Sequence, residues 1–234
     1  MSFRVRASAI ALSSAACLLL APAAMASSRG PVQVTGKQLR SALLPGSDFV
    51  SGYGVLAGSD SGGKLEHSAM FNLSSLPCNA FWPDIGVVEG FGDTAFAFDA
   101  IAYKSGSLPS VIEIFEQTVY QFASTRAASS WFAALNAEYR SCPKVTVRDP
   151  HGLTFRWTVL SRSKQHVGDH QALQLSENVS NLKVPGPPQK TDVLWTLDGT
   201  DVYMINTTLV STSSPRPTQS SLTLKLIARV GALR

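Results

Sequence analysis

Residues 94–142 carry two patterns back to back that few folds can satisfy. Two runs, 94–103 and 111–122, are rich in β-branched and aromatic residues, and the turn-forming stretch 104–109 separates them. Such neighbours predict an antiparallel hairpin. A phase slip at Glu116-Gln117 predicts a bulge or a twist in the second strand. A helix is then predicted over 125–140, where Ala128, Trp131, Phe132, Leu135 and Tyr139 recur at three- and four-residue steps. Ser124 or Thr125 can cap its first amides, and Cys142-Pro143 stops it. A hairpin feeding a helix with one aromatic face calls for that helix to lie on a sheet.

The flanking sequence extends this plan. A first helix is predicted from the cap Thr35 to a stop at Pro45-Gly46. The glycine- and serine-rich stretch 51–64 predicts a loop, and it lacks the Gly-Lys-Ser/Thr ending of a phosphate-binding loop. A strand is expected at 66–73, then a bend at Pro77-Cys78-Asn79. Alternation predicts strands at 144–148, 154–160 and 171–179, with a turn at 149–152 and a rigid loop at 185–188. Residues 192–210 read as a hairpin turning at Asp198-Gly199. Residues 218–234 alternate at Leu222, Leu224 and Leu226, yet also form a helical face; Pro217 and the length favour a helix.

The N-terminus reads as a targeting segment. Arg4 and Arg6 precede an apolar stretch, and Ala24-Met25-Ala26 supplies small residues for cleavage after Ala26. The stretch is short for a membrane span, so an uncleaved anchor is the weaker alternative. Cys17 raises a lipoprotein reading, but no leucine stands at −3 and Leu18, Leu19 and Leu20 continue the apolar run. The expected order is a signal peptide at 1–26, a flexible lead at 27–34 and one domain at 35–234. Cleavage lowers the net charge from +4 to +2 and leaves Cys78 and Cys142. In an oxidising compartment, two cysteines read most simply as one disulfide, worth about 4 kcal/mol on the chain-entropy model; a reactive thiol is the competing reading. The small charge speaks against a nucleic-acid binder.

Chemistry-bearing motifs are sparse. His166 and His170 stand four apart, half of a zinc pattern, but Gly168 between them suits a polar loop better than a helix. Ser161-x-x-Lys164 lacks its partner motifs and reads as a charged loop. Asp84, Glu89, Asp93 and Asp99 could supply paired carboxylates for a hydrolase, with solvated loop charges the plainer reading. No catalytic residue, metal ligand or cofactor is assigned.

The run Glu116-Gln117-Thr118-Val119-Tyr120-Gln121-Phe122-Ala123-Ser124, followed by the helix through Trp131-Phe132 to Ser141-Cys142, resembles a known signature. It is similar to the extracellular sensor domain of the PknH-type mycobacterial kinases and their stand-alone exported relatives. Cys78, the N-terminal helix and the segment Lys225-Leu226-Ile227-Ala228-Arg229-Val230 also fit, so the likeness spans about residues 35–232. It implies an α/β (α+β) fold, a twisted, mostly antiparallel sheet backed by helices, with a cleft for a ligand. Family members often carry a second cysteine pair, which this chain lacks. The reading that follows is an exported, non-catalytic binding or sensor-like domain of the cell envelope. Its partner would be a small-molecule or envelope ligand, with a protein partner to relay any signal, since no kinase domain is present. Trp82 and Trp157 are the aromatic residues to inspect first in the cleft, with ordinary packing the plainer reading of both. A secreted hydrolase with scattered catalytic groups is the alternative.

Overall fold

The computed structural model describes residues 33–49, 53–55, 61–63, 93–104, 111–148, 153–183, 186–209 and 217–234. All belong to one compact unit, Pro31–Arg234. Trp82, Cys78, the expected strand at 66–73, the turn at 149–152 and the targeting segment lie outside the described residues.

Three helices and nine strands are described. Helix α1 spans Gly36–Ala42, α2 Thr125–Ser141 and α3 Gln219–Gly231. Strands β1 (Tyr53–Val55), β2 (Ser61–Gly63), β3 (Asp93–Lys104) and β4 (Val111–Phe122) precede α2. After it come β5 (Lys144–Arg148), β6 (Thr154–Val167), β7 (His170–Asn181), β8 (Gln189–Asp198) and β9 (Asp201–Leu209). They form one sheet in the order β1-β3-β4-β9-β8-β7-β6-β5, with β2 also on β3, and every pair is antiparallel.

Both faces of the sheet are covered. Because side chains alternate along a strand, β4 sends Tyr120 and Phe122 to the α2 side and Phe115 and Val119 to the α1–α3 side. Strand β9 does the same with Val202 and Met204 against Tyr203 and Ile205. On the α2 side, Trp131 lies 5.7 Å from Tyr120, 5.6 Å from Phe122 and 5.6 Å from Trp195 between ring centroids. Full burial of each large apolar side chain there contributes about 1.5–3 kcal/mol. On the other side, Leu39 and Leu44 meet Leu222, Leu226 and Val230.

The helices begin and end where their residues dictate. Thr35 makes a capping box with Gln38, Ser124 accepts the Ala127 N–H at 3.1 Å, and Thr218 accepts that of Ser221 at 3.1 Å. The ambiguous C-terminal segment is thus helical, with Pro217 just outside the cap. All five residues of the expected aromatic face of α2 are buried. Arg229 of α3 caps α1 in turn, donating to Ala42 O at 2.7 Å and Ser41 O at 3.2 Å.

Four expectations need correction. The glycine-rich stretch 51–64 contains β1 and β2, which dock on β3; pairing supplies the order that local preference lacks. Of the bulge or twist expected at Glu116-Gln117, the bulge is absent: both residues pair in regular register with Ala100 and Asp99. Residues 161–167, read as a polar loop, continue β6. Finally, the β8–β9 turn is Gly199-Thr200, one residue later than expected, with Gly199 at φ +58°. A glycine at the first position of a two-residue turn suits a positive φ there.

Candidate functional site

The extension of β6 builds the site. Strand β6 carries a bulge between Val159 and Ser161, opposite Glu177 and Ser176. Before it, Phe155, Trp157 and Val159 pack toward the α2 side. The extra residue reverses the phase, so beyond it Arg162, Lys164 and His166 face that side, paired with Leu175, Leu173 and Gln171. The hairpin closes through Gly168-Asp169, where Gly168 takes φ +59°.

Helix α2 covers only part of this surface. Between it and the β6–β7 hairpin lies a groove of about 450 Å³. Phe132, Leu173 and Leu197 line its apolar side; Asn136, Lys164 and His166 are among its polar groups. Arg162 ties the strand to the helix, its Nη1 donating to Asn136 Oδ1 and to Asn136 O at 3.4 Å. A second cavity of about 220 Å³ shares Ser129, Gln171 and Leu197 with the first, and it adds Thr125, His170 and Asp198. Nδ1 of His170 stands 3.4 Å from Asp198 Oδ1. A groove of this size and mixed lining can hold a small molecule and orient it through a few polar contacts.

The residues singled out by sequence fall differently. Trp157 is half-buried on β6, 5.7 Å from Phe155, packed on the α2-side core and outside the lining of both cavities. His166 and His170 flank a hairpin turn instead of sharing a helix face, and no group of three or more metal-ligating side chains occurs among the described residues. Ser161 and Lys164, three apart on a strand, project from opposite faces, which separates the hydroxyl from the amine. Cys142 is buried at the C-cap of α2; Cys78, its expected disulfide partner, is outside the described residues. Sequence reasoning missed Ser129, Ala133 and Asn136, which line the groove from α2. Their signal was a stripe of small and polar residues at helical spacing beside the aromatic face.

An antiparallel sheet sheathed by helices, with a groove beside the central helix, defines an α+β domain. The chain belongs to the PknH-like extracellular domain family, whose sequence model matches residues 34–196. The crystal structure of the extracellular domain of PknH from Mycobacterium tuberculosis shares the fold, with a TM-score of 0.52 and 13% identity over 85% of this chain and 97% of that one. An X-ray structure of a putative uncharacterized protein from Mycobacterium smegmatis, an Rv0999 ortholog, gives a TM-score of 0.37 and 11% identity over 83% and 94%. No curated protein matches the chain. Membership of this family gives the chain an extracytoplasmic place. No helix among the described residues is long and apolar enough to cross a membrane.

Proposed function

We propose that the chain is an exported, non-catalytic sensor-like module of the bacterial cell envelope that binds a small ligand in the groove between α2 and the β6–β7 hairpin. The observation that carries this reading is the groove itself, about 450 Å³ with an apolar side of Phe132, Leu173 and Leu197 and polar groups converging from helix and strand. The reading includes a signal peptide cleaved after Ala26, domain boundaries at 35 and 234, and a Cys78–Cys142 disulfide. That disulfide would fasten the end of α2, and non-reducing peptide mapping tests it.

Thermal-shift screening against envelope lipids, glycans and small metabolites tests the binding function. A hit should move the amide resonances of Ser129, Ala133 and Gln171. Ala133→Trp, an exposed helix position at the groove, should abolish the hit without loss of fold. Hits that survive this substitution, or a panel without hits, would count against the reading.

A hydrolase is the second reading, and one observation favours it: the His170–Asp198 pair shares a cavity with Ser129. Among the described residues, Ser129 makes no side-chain hydrogen bond to His170, as an activated nucleophile would. Labelling of Ser129 by a fluorophosphonate probe would establish the hydrolase; no labelling is expected.

A further inference from the structure

The outer edge of β6 has a gap in its pairing. Strand β5 pairs with β6 only from Thr154 to Thr158, and the last bond on that side is Val159 N–H to Pro143 O at 2.8 Å. From Leu160 to Val167, the side away from β7 has no partner strand among the described residues. No other described element covers it: Leu160 is 54% exposed, and Ser161, Ser163, Lys164, Gln165 and His166 are all exposed.

The geometry of this edge follows from the turn. A two-residue hairpin loop is closed by a hydrogen-bonded pair, here Val167 with His170, and pairs alternate from there. The N–H and C=O groups of His166, Lys164 and Arg162 therefore point away from β7. Seven residues, 161–167, offer about 23 Å of edge at about 3.3 Å per residue. The same three residues carry the basic side chains of the α2-facing surface. Lys164 has no ion pair among the described residues, and Arg162 is held by Asn136.

We propose that this edge is a strand-addition site for an extended, acidic segment of a partner protein. Main-chain hydrogen bonds to Arg162, Lys164 and His166 supply the binding, and acidic side chains at alternate positions pair with the basic ones. A second copy of the chain fits badly, because antiparallel self-pairing centred on Lys164 sets that lysine opposite its own counterpart, and like charges across a ladder repel. The inference goes beyond the groove reading and does not depend on a small ligand. It also gives a domain without a catalytic output a surface through which to engage one.

The test is an NMR titration of the protein with a capped octapeptide alternating glutamate and threonine, beside its lysine counterpart. The acidic peptide should shift the amides of Arg162, Lys164 and His166, and the lysine peptide should not. Lys164→Pro removes one outward N–H and spares the β6–β7 ladder, where edge proline is tolerated; binding should be lost with the melting temperature kept. Should that variant misfold, Lys164→Glu serves instead, with about tenfold weaker binding of the acidic peptide and gained binding of the lysine peptide. Equal binding of both peptides, shifts confined to Ser129 and Ala133 in the groove, or self-association through 160–167 would each overturn the proposal. Failure here leaves the thermal-shift hits and their loss in Ala133→Trp unaffected, so the two readings fall separately.

Discussion

Gln117 acts on Leu44 as a neighbouring strand would: its Oε1 accepts the Leu44 N–H at 2.8 Å and its Nε2 donates to Leu44 O at 2.9 Å. Four residues on, Gln121 Oε1 accepts the Val34 N–H at 2.9 Å. The two amides hold the backbone on either side of α1 against β4. Both glutamines are buried, so neither bond competes with water. Gln117→Leu keeps the volume but strands two buried main-chain groups. It should cost about 3 kcal/mol, read as a lower urea midpoint with unchanged slope.

These glutamines also explain a misreading. Hydrophobic alternation assumes that buried positions are apolar, so polar Gln117 looked like a break in phase. The break is chemical, since the side chain is spent on the backbone of Leu44, just past the end of α1 and 73 residues away. Periodicity cannot register a partner so distant. By contrast α2 was fully legible, because Ala128, Trp131, Phe132, Leu135 and Tyr139 declare one face within a single helix. The site was legible least. The bulge after Val159 hides the continuation of β6, since the apolar phase stops where the strand does not. A groove between a helix and a strand 30 residues apart has no sequence period at all.

Glu116 should set part of the pH dependence of stability. Burial raises its pKa above the usual 4.5, against the lowering effect of the 2.6 Å bond from Asn206 Nδ2. A raised carboxyl holds its proton more tightly folded than unfolded, so stability falls as pH rises from about 4.5 through the folded pKa. Burial shifts Asp201 in the same sense, despite the Arg234 guanidinium beside it. Glu116→Gln removes the charge and offers an N–H to Asn206 Oδ1, which has no partner among the described residues. The variant should gain about 1 kcal/mol at neutral pH and show a flatter melting profile between pH 4.5 and 8.

Gly199→Ala should cost about 1 kcal/mol by thermal melting. A Cβ there meets nothing within 4 Å, so the whole cost comes from the φ of +58°. Gly168→Ala adds a 3.4 Å approach to Leu224 Cδ2 and should cost at least as much.

Arg229→Met should fray α1 while leaving α3 in place, because it removes two donors to the last carbonyls of α1. We expect a loss of about 1–2 kcal/mol and faster amide exchange at Ala42 and Leu43.

The two cores differ in how the chain must travel to make them. The α2-side core draws on residues 120–204, a continuous stretch of chain, whereas the opposite core joins 34–49 to 222–230. The Arg229–Ala42 bond alone spans 187 residues. Loop-closure entropy therefore favours the α2 side as the place where folding starts, and the α1–α3 layer as the part that closes last. A chain made from its N-terminus keeps α1 waiting until α3 is made, and so keeps one face of its sheet open while everything between them is synthesised.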